Sequence, residues 1–155
     1  MSYASQTSVS VARSKAELER LLTRYGADQF AYLTDTTGAM VAFRMKKRHV
    51  RFLMPMPPRD DFVLTPGGRA RKWAEDIDKA WEQAQRSRWR GLVLIVKAKL
   101  EAVETGISSF EREFLSDIVL PDGRTVHDLL APQLEDAYSS AEMPAGIRLA
   151  LPERT

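Results

Sequence analysis

The sequence predicts an α+β fold: an N-terminal strand and helix, a three-stranded antiparallel meander, a long helix, a fourth strand and two short C-terminal helices. Three observations predict it. Residues 29–54 alternate apolar and polar side chains between short polar turns, as half-buried antiparallel strands do. Residues 69–90 repeat apolar positions at helical spacing instead. The chain has 155 residues, 44% of them apolar and 28% charged, which suits one globular domain and not a disordered or fibrous chain. The domain is expected over residues 1–142, with a C-terminal tail over 143–155.

Taken in order, Ser8 to Val11 reads as a short edge strand. Ser14-x-x-Glu17 reads as a capping box opening a helix over 15–25, with Leu18, Leu21, Leu22 and Tyr25 on one face and Gly26 as its stop. The strands Gln29–Thr34, Ala39–Met45 and His49–Met54 follow, joined by Thr36-Thr37-Gly38 and Lys46-Lys47-Arg48. Pro55, Pro57 and Pro58 end the third strand, because proline has no ladder amide. Residues 55–68 read as a long mobile connection. A helix from Arg69 to Arg90 then buries Trp73 and Trp81 and stops at Gly91. The segment Leu92–Val103 fits either period, and its aliphatic run after a glycine favours a fourth strand. Ser108-x-x-Glu111 opens a short helix with Phe110, Phe114 and Leu115 on one face. Pro121-Asp122-Gly123 is a turn, and Thr125-x-x-Asp128 caps a last helix that Pro132 interrupts.

Composition narrows the chemistry. There is no cysteine, and His49 and His127 are the only histidines, so thiol catalysis, disulfides and a Ser-His-Asp triad have little to build on. No catalytic residue, cofactor or metal site is expected, and the protein is read as no enzyme. The longest aliphatic run, Leu92 to Val96, is far short of the ~20 residues a membrane-spanning helix needs. With no leader-like N-terminus, the expected location is the cytoplasm of a bacterial host, with no membrane partner.

The net charge of +2 conceals an asymmetry. Residues 44–99 carry 15 basic and 6 acidic groups, whereas residues 100–155 carry 4 and 11. Either the middle faces an external polyanion or the two segments face each other. The candidate nucleic-acid contacts are four groups and one outlier. The hairpin supplies Arg44, Lys46, Lys47, Arg48 and Arg51, although lysines there also protect a strand edge. The glycine-led loop supplies Arg69, Arg71 and Lys72, without the spacing of a Walker loop. On an ideal helix Lys72, Lys79, Arg86 and Arg90 form a row of about 27 Å, which i,i+4 pairing with Glu75 and Glu82 would partly neutralise. Arg88, Trp89 and Arg90 interleave cations with an indole suited to base stacking. Lys97 is the outlier.

The stretch Lys97–Gly123, KAKLEAVETGISSFEREFLSDIVLPDG, together with RYGADQF at Arg24–Phe30 and MPMP at Met54–Pro57, resembles small proteins of bacterial phages and prophages. The resemblance spans residues 9–145. It implies a mobile-element origin and supplies no residue roles. Separately, a three-stranded meander followed by a long helix looks like the core of single-strand annealing proteins, which often form rings holding DNA in a basic groove. That likeness is of element order alone. The expected function is a phage-encoded nucleic-acid-binding accessory protein, for single-strand binding or annealing. The alternative is a protein-binding inhibitor of a host defence or replication factor. Free sheet edges make a homo-oligomer an expectation too. On this reading, charge reversal at Arg86, Arg88 and Arg90 abolishes binding and spares the fold.

Overall fold

The computed structural model describes residues 4–142, so the tail expected over 143–155 lies outside the described residues. No strand forms at Ser8–Val11. Helix α1 runs Val11–Arg24, and the Ser10 hydroxyl accepts the Arg13 amide at 3.1 Å to cap it. Ser14 is not the cap. It lies one turn inside, fully buried, and its hydroxyl has no hydrogen-bond partner. Leu18 and Leu22 point into the core. Gly26, at φ 99°, takes the left-handed conformation that ends the helix.

The meander is as expected: β1 (Gln29–Thr34), β2 (Gly38–Met45) and β3 (Arg48–Pro55), antiparallel, in the order β1-β2-β3. Phe30 pairs with Phe43 and Tyr32 with Val41, while Val41 pairs with Phe52 and Phe43 with Val50. These side chains share one face, and Val41, Phe43 and Met45 on it are buried. Gly38 is required by a close approach, since a Cβ there would lie 2.9 Å from the Met54 carbonyl oxygen. The Asp35 carboxylate holds the first turn by accepting the Thr37 amide and hydroxyl and the Gly38 amide.

The connection after β3 is built, not loose. It contains a 3-10 turn at Arg59–Phe62 and a bridge between Leu64 and Ala70. The Trp81 indole N–H donates to the Pro57 carbonyl at 3.0 Å and ties this segment to the next helix.

The fourth strand does not exist. Helix α2 runs Ala74–Glu104 as one 31-residue element and continues through Gly91. An internal glycine costs about 1 kcal/mol relative to alanine. Burial of Leu92, Val93, Val96 and Leu100 outweighs it, at ~1.5–3 kcal/mol for each fully buried side chain. Those positions recur at helical spacing, and Ala98, which a strand would bury beside Val96, is exposed.

Helices α1 and α2 lie side by side over the buried face of the sheet and run in the same direction. Gln83 bonds the Ser5 and Thr7 carbonyls, Glu17 meets Arg90, and Tyr25 meets Glu101. Helix α3 (Phe110–Phe114) closes the far end, with Ser109 as its cap where the sequence suggests Ser108. Phe110 and Phe114 are buried, while Leu115 is outside at 51% exposure because the chain tightens into a 3-10 turn there. Ile118 bridges to Val50, and the Val119 amide donates to the His49 carbonyl, covering that end of the β3 edge. Helix α4 (Val126–Ser140) opens on the expected Thr125–Asp128 capping box and runs through Pro132. The other face of the sheet carries Leu33 and Leu53, both well exposed.

Candidate nucleic-acid interface

The structure divides the expected contact residues into two sets. One set is engaged in holding the fold. Arg44 forms a two-pronged pair with Asp28, at 2.8 and 2.5 Å, and this bond holds the Asp28 carboxyl below the usual carboxylate range. Arg51 donates to the Gly123 carbonyl at 3.0 Å and lies 3.7 Å from Asp128. Arg71 donates to the Phe62 and Leu64 carbonyls. Arg86 grips the Gln83 side-chain oxygen, and Arg90 pairs with Glu17 at 2.7 Å.

The cationic helix row is therefore not a row. Lys72 precedes the helix, Arg86 is held by Gln83 on its own helix, and Arg90 faces α1. Two of the three tryptophans are also reversed, while Trp81 is half-buried. Trp89 is buried at 2% exposure, on the same helix face as Val93 and Val96, with its ring edge-on to Tyr32. Trp73, at 62% exposure, stands before the first turn of α2 and belongs to no buried stripe. Trp89 is unavailable for stacking on a base.

The second set is exposed and has no carboxylate within ion-pair distance among the described residues: Lys46, Lys47 and Arg48 at the β2–β3 tip, Arg69, Lys72 and Lys79 around the start of α2, then Arg88 and Lys97. The tip has an unusual backbone. Lys46 (φ 49°) and Lys47 (φ 62°) are both left-handed, as a two-residue turn between right-twisted strands demands. Such turns favour Asn-Gly because a side chain at positive φ costs roughly 1 kcal/mol or more. The basic middle and acidic end meet only at Arg51–Asp128 among the ion pairs of the described residues, so the tip remains uncompensated.

Sequence reasoning misses a cleft away from this tip, toward the Pro55 end of β3. It measures about 740 Å³ and lies between β3 and α2, with Phe52, Met54, Leu92 and Ile95 as apolar lining and Arg88 on its rim. Gly91 opens onto it, and a Cβ there would meet nothing within 4 Å. At its inner end are Lys99, which donates to the Glu113 carbonyl, and Asp117, whose carboxyl burial pushes above its ordinary value. The cleft runs along the last four residues of β3, about 13 Å of strand. The available signal was Ile95 and Gly91, which fall off the buried stripe once residues 92–103 are helical.

Comparisons with protein-family models, curated proteins and solved structures returned no match. No helix is long and apolar enough to cross a membrane among the described residues, and none of their His, Asp and Glu side chains form a group of three able to hold a metal ion.

Proposed function

We propose that this is a phage-encoded nucleic-acid-binding accessory protein that holds a single strand, for protection or annealing. The observation that carries the reading is the β2–β3 tip. Two lysines occupy left-handed positions that a glycine or asparagine would fill at lower cost, and neither is neutralised. Backbone strain retained at an exposed cationic tip favours a ligand-contacting role over a purely structural one. The cleft toward the other end of β3 supports the same reading, since an apolar wall beside Arg88 suits a base with its phosphate at the rim.

The test is titration of a labelled single-stranded oligonucleotide at ~50 and ~200 mM salt. Binding is expected to weaken steeply with salt. The double variant Lys46→Asn/Lys47→Gly should fold at least as well, because it installs the preferred turn. It should lose about 1.4 from the log–log salt slope, at ~0.7 per single-strand phosphate contact. No retention of nucleic acid at ~50 mM salt overturns the proposal. A second reading, an inhibitor that docks on a host protein, is favoured by α4, which exposes Leu134 and Tyr138 beside Glu135 and Asp136. One stoichiometric host partner, with no salt-dependent nucleic-acid binding, would select it.

A further inference from the structure

The two edges of the sheet are treated differently. The β3 edge is bridged by Ile118 and Val119 at one end and stopped by Pro55 at the other. The β1 edge has neither device. Its six residues, QFAYLT, include no charge and no proline, the usual means by which a free edge avoids pairing with another chain.

The ladder fixes which groups face outward. The Asp35 amide donates to the Gly38 carbonyl, so residues 29, 31 and 33 bond β2, and the amides and carbonyls of Phe30, Tyr32 and Thr34 point away from it. Among the described residues no backbone bond from another segment satisfies them. The side chains match this. Tyr32 lies on the helix-covered face yet is 48% exposed, and Leu33 on the open face is 58% exposed.

We propose that two copies of this chain pair antiparallel through β1, joining two three-stranded sheets into one across a twofold axis at Tyr32. In that register Tyr32 meets its own copy and Phe30 meets Thr34, each through outward-facing backbone groups. Ala31 meets Leu33 on the open face. All side chains keep their faces, as antiparallel pairing requires. A shift of two residues one way would carry Asp28 opposite Thr34, and the other way Asp35 opposite Ala31, so the Tyr32 register keeps charge at the flank, where Gln29 meets Asp35. A second copy fits this edge better than an unrelated peptide because the strand is complementary to itself in length, polarity and side-chain size. The pairing is independent of any ligand.

The full-length chain is measured by sedimentation across a concentration series, beside single-thiol variants. The natural chain has no cysteine, so each variant reports one position. A dimer is expected, and mild oxidation should cross-link Tyr32→Cys but not Thr34→Cys, whose neighbour across the axis is Phe30. Thr34→Pro removes an outward amide that the β1–β2 ladder does not use, so it should fold normally and dimerise at least tenfold more weakly. A monomer at all concentrations up to ~100 μM, where even weak association is visible, overturns the proposal. So does equal cross-linking of the two thiols. Dimerisation only after removal of residues 143–155 would also overturn it, by assigning the edge to the chain's own tail.

Discussion

Arg90 of α2 donates to the Glu17 carboxylate of α1 at 2.7 Å, with both side chains about one-quarter to one-third exposed. An arginine that reads from sequence as a ligand contact is thereby a clasp between helices. Glu17→Gln is expected to cost about 1 kcal/mol, and Arg90→Ala somewhat more because its stem also packs. Neither should change the salt slope of nucleic-acid binding, whereas Arg88→Ala should lower it by ~0.7. Reversing Arg86, Arg88 and Arg90 together therefore damages the fold as well as the surface. Denaturant midpoints and binding slopes, measured on the same variants, check this.

Two serines four residues apart should respond in opposite directions. Ser10→Ala removes the α1 cap and should cost about 1 kcal/mol. Ser14→Ala removes a buried hydroxyl without a partner and adds helix propensity, so it should stabilise by about 1 kcal/mol. Equal losses in thermal or chemical denaturation would contradict the assigned helix start.

Gly38→Ala drives a Cβ to 2.9 Å from the Met54 carbonyl oxygen and should destabilise by ~1–3 kcal/mol. Gly91→Ala meets open space inside a helix and should stabilise by ~1 kcal/mol. A destabilising Gly91→Ala would argue that α2 is not continuous there.

Two aspartates set opposite pH responses. The hydrogen bond from Arg44 lowers the Asp28 carboxyl. Its stabilising contribution is present above the unfolded value of about 3.9 and is lost as pH falls through the depressed folded value. Burial raises Asp117. Its contribution is full below about pH 3.9 and is lost as pH rises through the raised folded value. Asp117→Asn should therefore stabilise the protein near neutrality and lose that advantage in acid. Asp28→Asn should destabilise near neutrality and converge on the parent in acid. Unfolding free energies between about pH 3 and 7 test both signs.

The meander is legible almost to the residue because period two, bounded by short polar turns, has one solution there. Residues 92–103 are not, since Leu92, Val96 and Leu100 are four apart and fit both a strand face and a helix stripe. Val93, buried, and Ala98, exposed, decide for helix, and only packing shows which is which. The cap at Ser10 was hidden because Ser14 offers the same chemistry with a better-placed Glu17. Of the candidate site, the tip lysines are readable from sequence, but the partners of Arg44, Arg51 and Arg90 are remote in the chain and invisible to local pattern. The cleft depends on α2 passing through Gly91, so it vanishes from any reading that ends the helix there.

Because α1 and α2 run in the same direction, their peptide dipoles reinforce each other where most neighbouring helix pairs cancel. Both negative poles fall at the end where Tyr25 meets Glu101, and where hydrogen bonding to Glu104 pushes the tyrosine hydroxyl up to about 12. The last turn of α2 brings no basic residue of its own to that pole. The Arg44–Asp28 pair shows that the β2–β3 tip projects from this same end. Its unpaired lysines therefore stand at the same end as both negative poles, so the molecule gathers opposite signs of charge there.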